Sequence, residues 1–182
     1  MLTFDDGPHP EHTPAVLERL DHYGVRATFF VVGKRVTAPE SLDAIRGAGH
    51  ALGNHTHSHA SPVWSDIALS RADVRRCQDL IPDARFFRPP LGKLTPGLWL
   101  AARSLGLECV HWTLDSGDWR CLSEADAQRC AREVLELVQA GDIVLFHDDH
   151  RWIGPILDVV LPALADRHLL PSTKSTTQHP RP

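Results

Sequence analysis

The 182-residue chain is poor in cysteine, has one methionine and one tyrosine, and contains no long apolar run. Its four cysteines, Cys77, Cys109, Cys121 and Cys130, form no CxxC pair. This argues against a zinc knuckle or a disulfide framework and leaves free thiols as the expectation. Nothing approaches the ~18 consecutive apolar residues of a membrane helix, so no membrane span is expected. Basic residues are not in excess: 19 Lys and Arg stand against 23 Asp and Glu, a net charge of −4. A general nucleic-acid binder would show a basic face, so no nucleic-acid partner is expected. The opening MLTFDD has neither a positive n-region nor an apolar h-region. As given, the chain reads as cytoplasmic, or as the mature or truncated form of an exported protein.

Histidine, by contrast, is abundant, with twelve in the chain. His22, His50, His168 and His179 read as surface residues. Three others crowd into GNHTHSH (53–59). On a helix His55 and His59 would share a face, with His57 turned away; on a strand all three would share one. The spacing leaves both arrangements open.

Short strand-like runs alternate with longer helix-like ones. Residues 2–4, 26–33, 50–55, 85–87, 107–114 and 142–147 read as strands, rich in β-branched and aromatic residues. Residues 13–23, 39–48, 65–81, 95–106, 123–141 and 153–167 read as helices. Pro14 suits a first turn, Ser65 and Ser123 suit N-caps, Gly24, Gly49, Gly106 and Gly141 stop helices, and Pro162 is expected to bend or interrupt the last one. Such alternation implies parallel strands with helical crossovers, and six or seven units make a barrel-like α/β sheet. One domain over residues 1–170 is expected. The polar, proline-containing stretch PSTKSTTQHPRP (171–182) reads as a disordered tail.

The chemically informative residues fall just after the strand-like runs: DDGP with Asp5 and Asp6, the histidine cluster, RPPLG with Arg88, DSGDW with Asp115, Asp118 and Trp119, and LFHDD with His147. In a parallel barrel these positions gather at the C-terminal mouth. Singly, each has a plain reading: an Asx turn, a solvated loop, a rigid proline turn. At five successive strand ends they point to one site. Two imidazoles and a carboxylate would hold a divalent metal and leave positions open for water and substrate. Zinc suits these ligands, although iron(II) in an oxygenase uses the same set.

In order, TFDDGP (3–8), HTHSH (55–59), RPPLG (88–92), DSGDW (115–119) and LFH (145–147) resemble the five motifs of the polysaccharide deacetylases, carbohydrate esterase family 4 or the NodB homology domain. The resemblance spans residues 3–147. It implies a distorted (β/α) barrel of about six or seven parallel strands, open where the terminal strands are abbreviated. It also implies metal-dependent hydrolysis that releases acetate from N-acetylated glycans such as peptidoglycan or chitin oligosaccharides. Some members instead cleave O-acetyl esters of xylan, and many are secreted or held at the cell envelope. By the same resemblance Asp6, His55 and His59 are the metal ligands, for zinc first, with cobalt or nickel as alternatives. His57 becomes at most a lip of the groove. Asp5 is the catalytic base and Arg88 holds it; His147 is the acid and Asp115 tunes it. Pro89, Leu91 and Trp119 belong to the substrate groove. Leu91 departs from the family, which commonly has tyrosine there. Its backbone N–H survives as an oxyanion donor, but the ring that would pack on substrate is lost. Rival expectations are an O-acetyl esterase, a non-catalytic sugar-binding relative and a non-heme iron oxygenase.

Overall fold

The run LTFD forms the interior strand β1 (Leu2–Asp5) of a computed structural model that describes residues 1–61 and 67–170. Along the chain follow α1 (His12–His22), β2 (Ala27–Val31), α2 (Pro39–Gly47), β3 (Ala51–Asn54), α3 (Ile67–Gln78), β4 (Phe86–Phe87), α4 (Pro96–Ser104), β5 (Glu108–Cys109), β6 (Leu114–Asp115), α5 (Glu124–Leu137), β7 (Val144–His147) and α6 (Ile153–Asp166). The seven strands pair in parallel in the order β5-β4-β3-β2-β1-β7-β6, a curled half-barrel. The expected α/β barrel is therefore present, but the opening is not where the terminal strands are abbreviated: β1 and β7 pair directly, and the sheet is open between β5 and β6.

Period-two alternation divides β1 between two environments. Leu2 and Phe4 face the helices. Phe4 stacks on Phe29 and Phe146, its register neighbours, at 5.0 and 5.8 Å between ring centroids. Val16 and Leu20 of α1 and Ile156 and Leu157 of α6 complete this core. A smaller core lies under α3 and α4, around Val74, Phe87 and Leu98. Thr3 and Asp5 point to the concave side instead, where both meet Arg88. Among the described residues, no helix is long and apolar enough to cross a membrane.

The single strand expected over 107–114 is two strands on opposite edges of the sheet. After β5 the chain leaves one edge, and residues 110–113 carry it across the gap to β6 at the other. Carbonyls in that crossing cannot be satisfied by a ladder and need other partners; Arg88 supplies them, donating from Nε to Val110 O (3.1 Å) and from Nη2 to His111 O (3.1 Å). Pro162 lies within a continuous α6. Ser123 caps α5 by accepting from Asp126 N–H. Ser65, His179 and the tail 171–182 lie outside the described residues. His50 is a correction: it is buried rather than on the surface, with its Nδ1 accepting from Ala27 N–H at 3.2 Å and its ring against Phe29. His22 and His168 are exposed.

Gly53 shows how little room the concave side has. In register it stands beside Phe30, and a Cβ there would come within 2.4 Å of that ring. The Phe30 ring is in turn the shelf on which the Arg88 guanidinium lies, 4.1 Å from the centroid. Gly53→Ala is expected to lower stability by about 1–3 kcal/mol through overpacking. The urea unfolding midpoint checks this, and an unchanged midpoint would show that the ring moves aside at no cost.

Candidate active site

Asp5 ends β1, and register places it between Phe30 on β2 and His147 on β7. In a parallel sheet such neighbours share a face, so this carboxylate and this imidazole face the same concave mouth. Asp5 is buried, and its Oδ1 accepts from Arg88 Nη1 at 2.7 Å. Burial pushes its carboxyl up to about 6, against the pull of Arg88 and His147. Its other oxygen lies 3.7 Å from His55 Nε2.

A further alternating residue would point away from Asp5. Asp6 instead adopts φ 74°, in the left-handed region that non-glycine residues rarely occupy. The chain turns there, and both carboxylates reach the mouth. Arg35 holds the turn by donating to Asp6 O and to Asp149, each at 2.7 Å.

The histidine loop is neither helix nor strand. β3 ends at Asn54, and Thr56 (φ 64°) and His59 (φ 51°) fold the chain back on itself. Asn54 Oδ1 accepts from Thr56 N–H, Thr56 Oγ1 from His59 N–H, and the Asp73 carboxylate from both Ser58 N–H and its hydroxyl. His59 is thereby drawn over His55, their rings 5.0 Å apart. His57 turns the other way and packs against Gly33.

Asp6, His55 and His59 form a cluster whose candidate ligand atoms all lie within 4.8 Å of one another. Asp6 Oδ1 lies 3.5 Å from His55 Nε2 and 3.1 Å from His59 Nε2, and it is buried without a hydrogen-bond partner. His55 Nδ1 lies 2.7 Å from Arg88 O. The proton therefore belongs on Nδ1, and the Nε2 lone pair is free toward Asp6. Burial holds the His55 pKa at about 3, so the ring is neutral, as a ligand must be. An orphaned carboxylate oxygen and two converging imidazoles fit a divalent cation of the zinc, cobalt or nickel type.

On the far side of Asp5, His147 Nδ1 pairs with Asp118 Oδ1 at 2.7 Å, and His147 N–H donates to Asp118 Oδ2 at 2.7 Å. Burial opposes a charge on His147, but the Asp118 hydrogen bond and carboxylate prevail and raise its pKa to about 9. Burial likewise works to raise Asp118, but hydrogen bonds from His147 and His150 hold it down at about 2. The carboxylate on His147 is thus Asp118, which corrects the expectation for Asp115. Asp115 is exposed, and its Oδ1 accepts from Gly117 N–H at 2.8 Å in an Asx turn. Left-handed Gly117 (φ 71°) then swings the chain into the 3₁₀ turn 118–120, which buries Asp118.

A groove of about 490 Å³ runs over the site, lined by Asp6, His147, Leu91, Trp112, Trp119 and His150 among others. Trp119 is exposed along it. Leu91 is exposed in a left-handed conformation (φ 57°) and forms a lip. Pro89 is buried beneath the loop and is not a lining residue. Trp112 was not singled out by sequence. It packs on Gly92, where a Cβ would come within 2.7 Å of the indole.

A polysaccharide deacetylase family model matches residues 1–110. A chitooligosaccharide deacetylase of Bradyrhizobium sp. (strain ANU 289) is 36% identical over 158 residues, covering 82% of this chain and 70% of that protein. A peptidoglycan-N-acetylglucosamine deacetylase of Bacillus cereus is 32% identical over 179 residues, covering 90% and 80%. The structure of a family 4 acetyl xylan esterase from Clostridium thermocellum, in complex with a cobalt ion, superposes with a TM-score of 0.81 at 32% identity, over 91% of this chain and 83% of that one. The chain belongs to the polysaccharide deacetylase family.

The two aspartates of DSGDW separate experimentally. Asp118→Asn is expected to lower kcat by roughly 10²–10⁴-fold, the usual worth of a positioned general acid, while Asp115→Asn stays near wild type. Steady-state acetate release measures both. The reverse ranking would return the role to Asp115.

Proposed function

We propose that the chain removes N-acetyl groups from N-acetylglucosamine-containing glycans, with chitin oligosaccharides and peptidoglycan as candidate substrates. One observation carries this: Asp5 and His147 stand side by side in register at the mouth, with the Asp6–His55–His59 cluster next to Asp5. The relatives above, a chitooligosaccharide and a peptidoglycan deacetylase, support the substrate class.

A divalent metal held by Asp6, His55 and His59 would polarise both water and the acetyl carbonyl. The chain's own residues do the proton work. Asp5 is fixed at one oxygen by Arg88 and accepts the proton of the attacking water at the other. Asp6 carries the ligand role, which leaves Asp5 free; one carboxylate cannot serve both at once. His147 is kept cationic by Asp118 and donates its Nε2 proton to the leaving nitrogen. The Leu91 N–H is the proposed oxyanion donor, and one such donor can be worth ~2.7–4 kcal/mol. The products are acetate and a sugar amine. The likeness to an acetyl xylan esterase favours O-deacetylation as the second reading.

Acetate release from N-acetylglucosamine oligomers, peptidoglycan and acetylated xylan, with the zinc- and cobalt-loaded protein, tests the reading. Activity on the acetylated xylan alone would favour the esterase. Asp5→Asn should retain metal in elemental analysis yet lose most turnover; unchanged activity removes Asp5 from the role of base. His55→Ala should lose metal as well as activity, and full occupancy in that variant would point to His57 as a ligand.

The pH dependence carries a sign. Protonated His147 is the active acid, and its pKa is raised from the usual 6.5 to about 9. The rate should therefore persist through neutral pH and fall as pH rises through about 9. The opposite, acid limb comes from protonation of Asp5. An alkaline limb near 6.5 in the kcat profile would contradict the Asp118–His147 pairing.

A further inference from the structure

We propose that His150 is a positioning residue for His147, acting through the Asp118 carboxylate that the two histidines share; this rests on the deacetylase reading above.

Asp118 is fully buried, and its oxygens take three hydrogen bonds. Oδ1 pairs with His147 Nδ1 at 2.7 Å. Oδ2 accepts from the His147 backbone N–H at 2.7 Å and lies 3.2 Å from His150 Nε2. The backbone around His150 fixes the direction of that last bond. Trp152 N–H donates to His150 Nδ1 at 3.3 Å, so Nδ1 is an acceptor and carries no proton. The ring proton is therefore on Nε2, and Nε2 donates to Asp118. His150 needs no charge to do this.

The chain makes the arrangement from a short span. His147 is the last residue of β7, and His150 stands three positions on, in the turn before α6. The loop returns the second imidazole to the carboxylate that already clamps the first. Asp118 Oδ2 then has donors from both sides, and the carboxylate cannot swing about its χ2 axis without breaking one of them. Its Oδ1 stays in line with His147 Nδ1. The His147 Nε2 proton stays aimed into the groove, where the leaving nitrogen must sit. His150 also lines that groove, so its loss could be mistaken for lost substrate contact. A conservative replacement separates the two. The glutamine carboxamide N–H occupies nearly the position of imidazole Nε2–H and can donate to Asp118, without the ring.

The test uses the zinc-loaded protein. His150→Ala is expected to lower kcat by roughly tenfold or more, the size of one hydrogen bond to a charged group. His150→Gln should restore kcat to within about threefold of wild type, a difference well under that single bond. Long-range ¹H–¹⁵N spectra of ¹⁵N-histidine-labelled protein should show His150 as the Nε2–H tautomer, with the His147 ring signals shifted in His150→Ala and returned in His150→Gln. A His150→Ala kcat within twofold of wild type, a His150→Gln variant as impaired as His150→Ala, or an Nδ1–H tautomer at His150 would each overturn the proposal. Thermal melts of both variants separate misfolding from lost positioning, and should His150→Ala fail to fold, the wild-type tautomer and His150→Gln still decide. A wild-type chain that releases no acetate from any glycan would sink the deacetylase reading instead. The nitrogen spectra would then still report whether His150 holds Asp118.

Discussion

One buried guanidinium holds the working parts together. Arg88 is completely inaccessible to solvent, and its donors reach Asp5 and Thr3 on β1 and the carbonyls of Val110 and His111 on the crossing segment. Its own carbonyl receives His55 Nδ1. A charge this deep is tolerated only when paired and fully hydrogen-bonded, and breaking such a pair typically costs about 3–5 kcal/mol. The pair is therefore poor evidence of stability but strong evidence of constraint. The proposed base, a proposed metal ligand and the segment that crosses the open seam are all referred to a single residue. The two prolines after it stiffen the backbone that carries it.

Around that fixed point the sheet distributes the chemistry. Parallel register brings Asp5 and His147 onto adjacent strands and the same face with no special device. Four of the five non-glycine residues with positive φ among the described residues, Asp6, Thr56, His59 and Leu91, belong to the loops of the site; the fifth, His168, follows α6. Each such residue costs on the order of 1–3 kcal/mol and persists because its surroundings overdetermine it. Asn54, Asp73 and Arg35 supply those surroundings here.

Much of this was legible in the sequence. Hydrophobic runs and glycine stops located the strands and helices to within a few residues, and the chemical residues announced themselves by falling after strands. The failures share a physical cause. In 107–114 the residues look alike along the run, and nothing local says that the chain must leave one sheet edge and join the other. In DSGDW both aspartates have the right chemistry, and only the left-handed turn at Gly117 decides which is buried. His150 gave no signal, because its role depends on a hydrogen bond at Trp152 that fixes its tautomer. His50 reads as polar but is buried as the acceptor for Ala27. Periodicity carries the first contact of a side chain with its own element; it does not carry contacts made across the mouth.

The unclosed seam between β5 and β6 has a consequence for how the molecule meets others. An unpaired strand edge is a ready template for a neighbouring chain, the usual route to runaway association. Here each of the two free borders is only two residues long. So few vacant amides offer a visiting strand almost nothing to grip. Brevity does at this seam what a gatekeeping lysine or proline does elsewhere, and a partly open sheet can leave its mouth accessible to a long polymer without inviting its own kind.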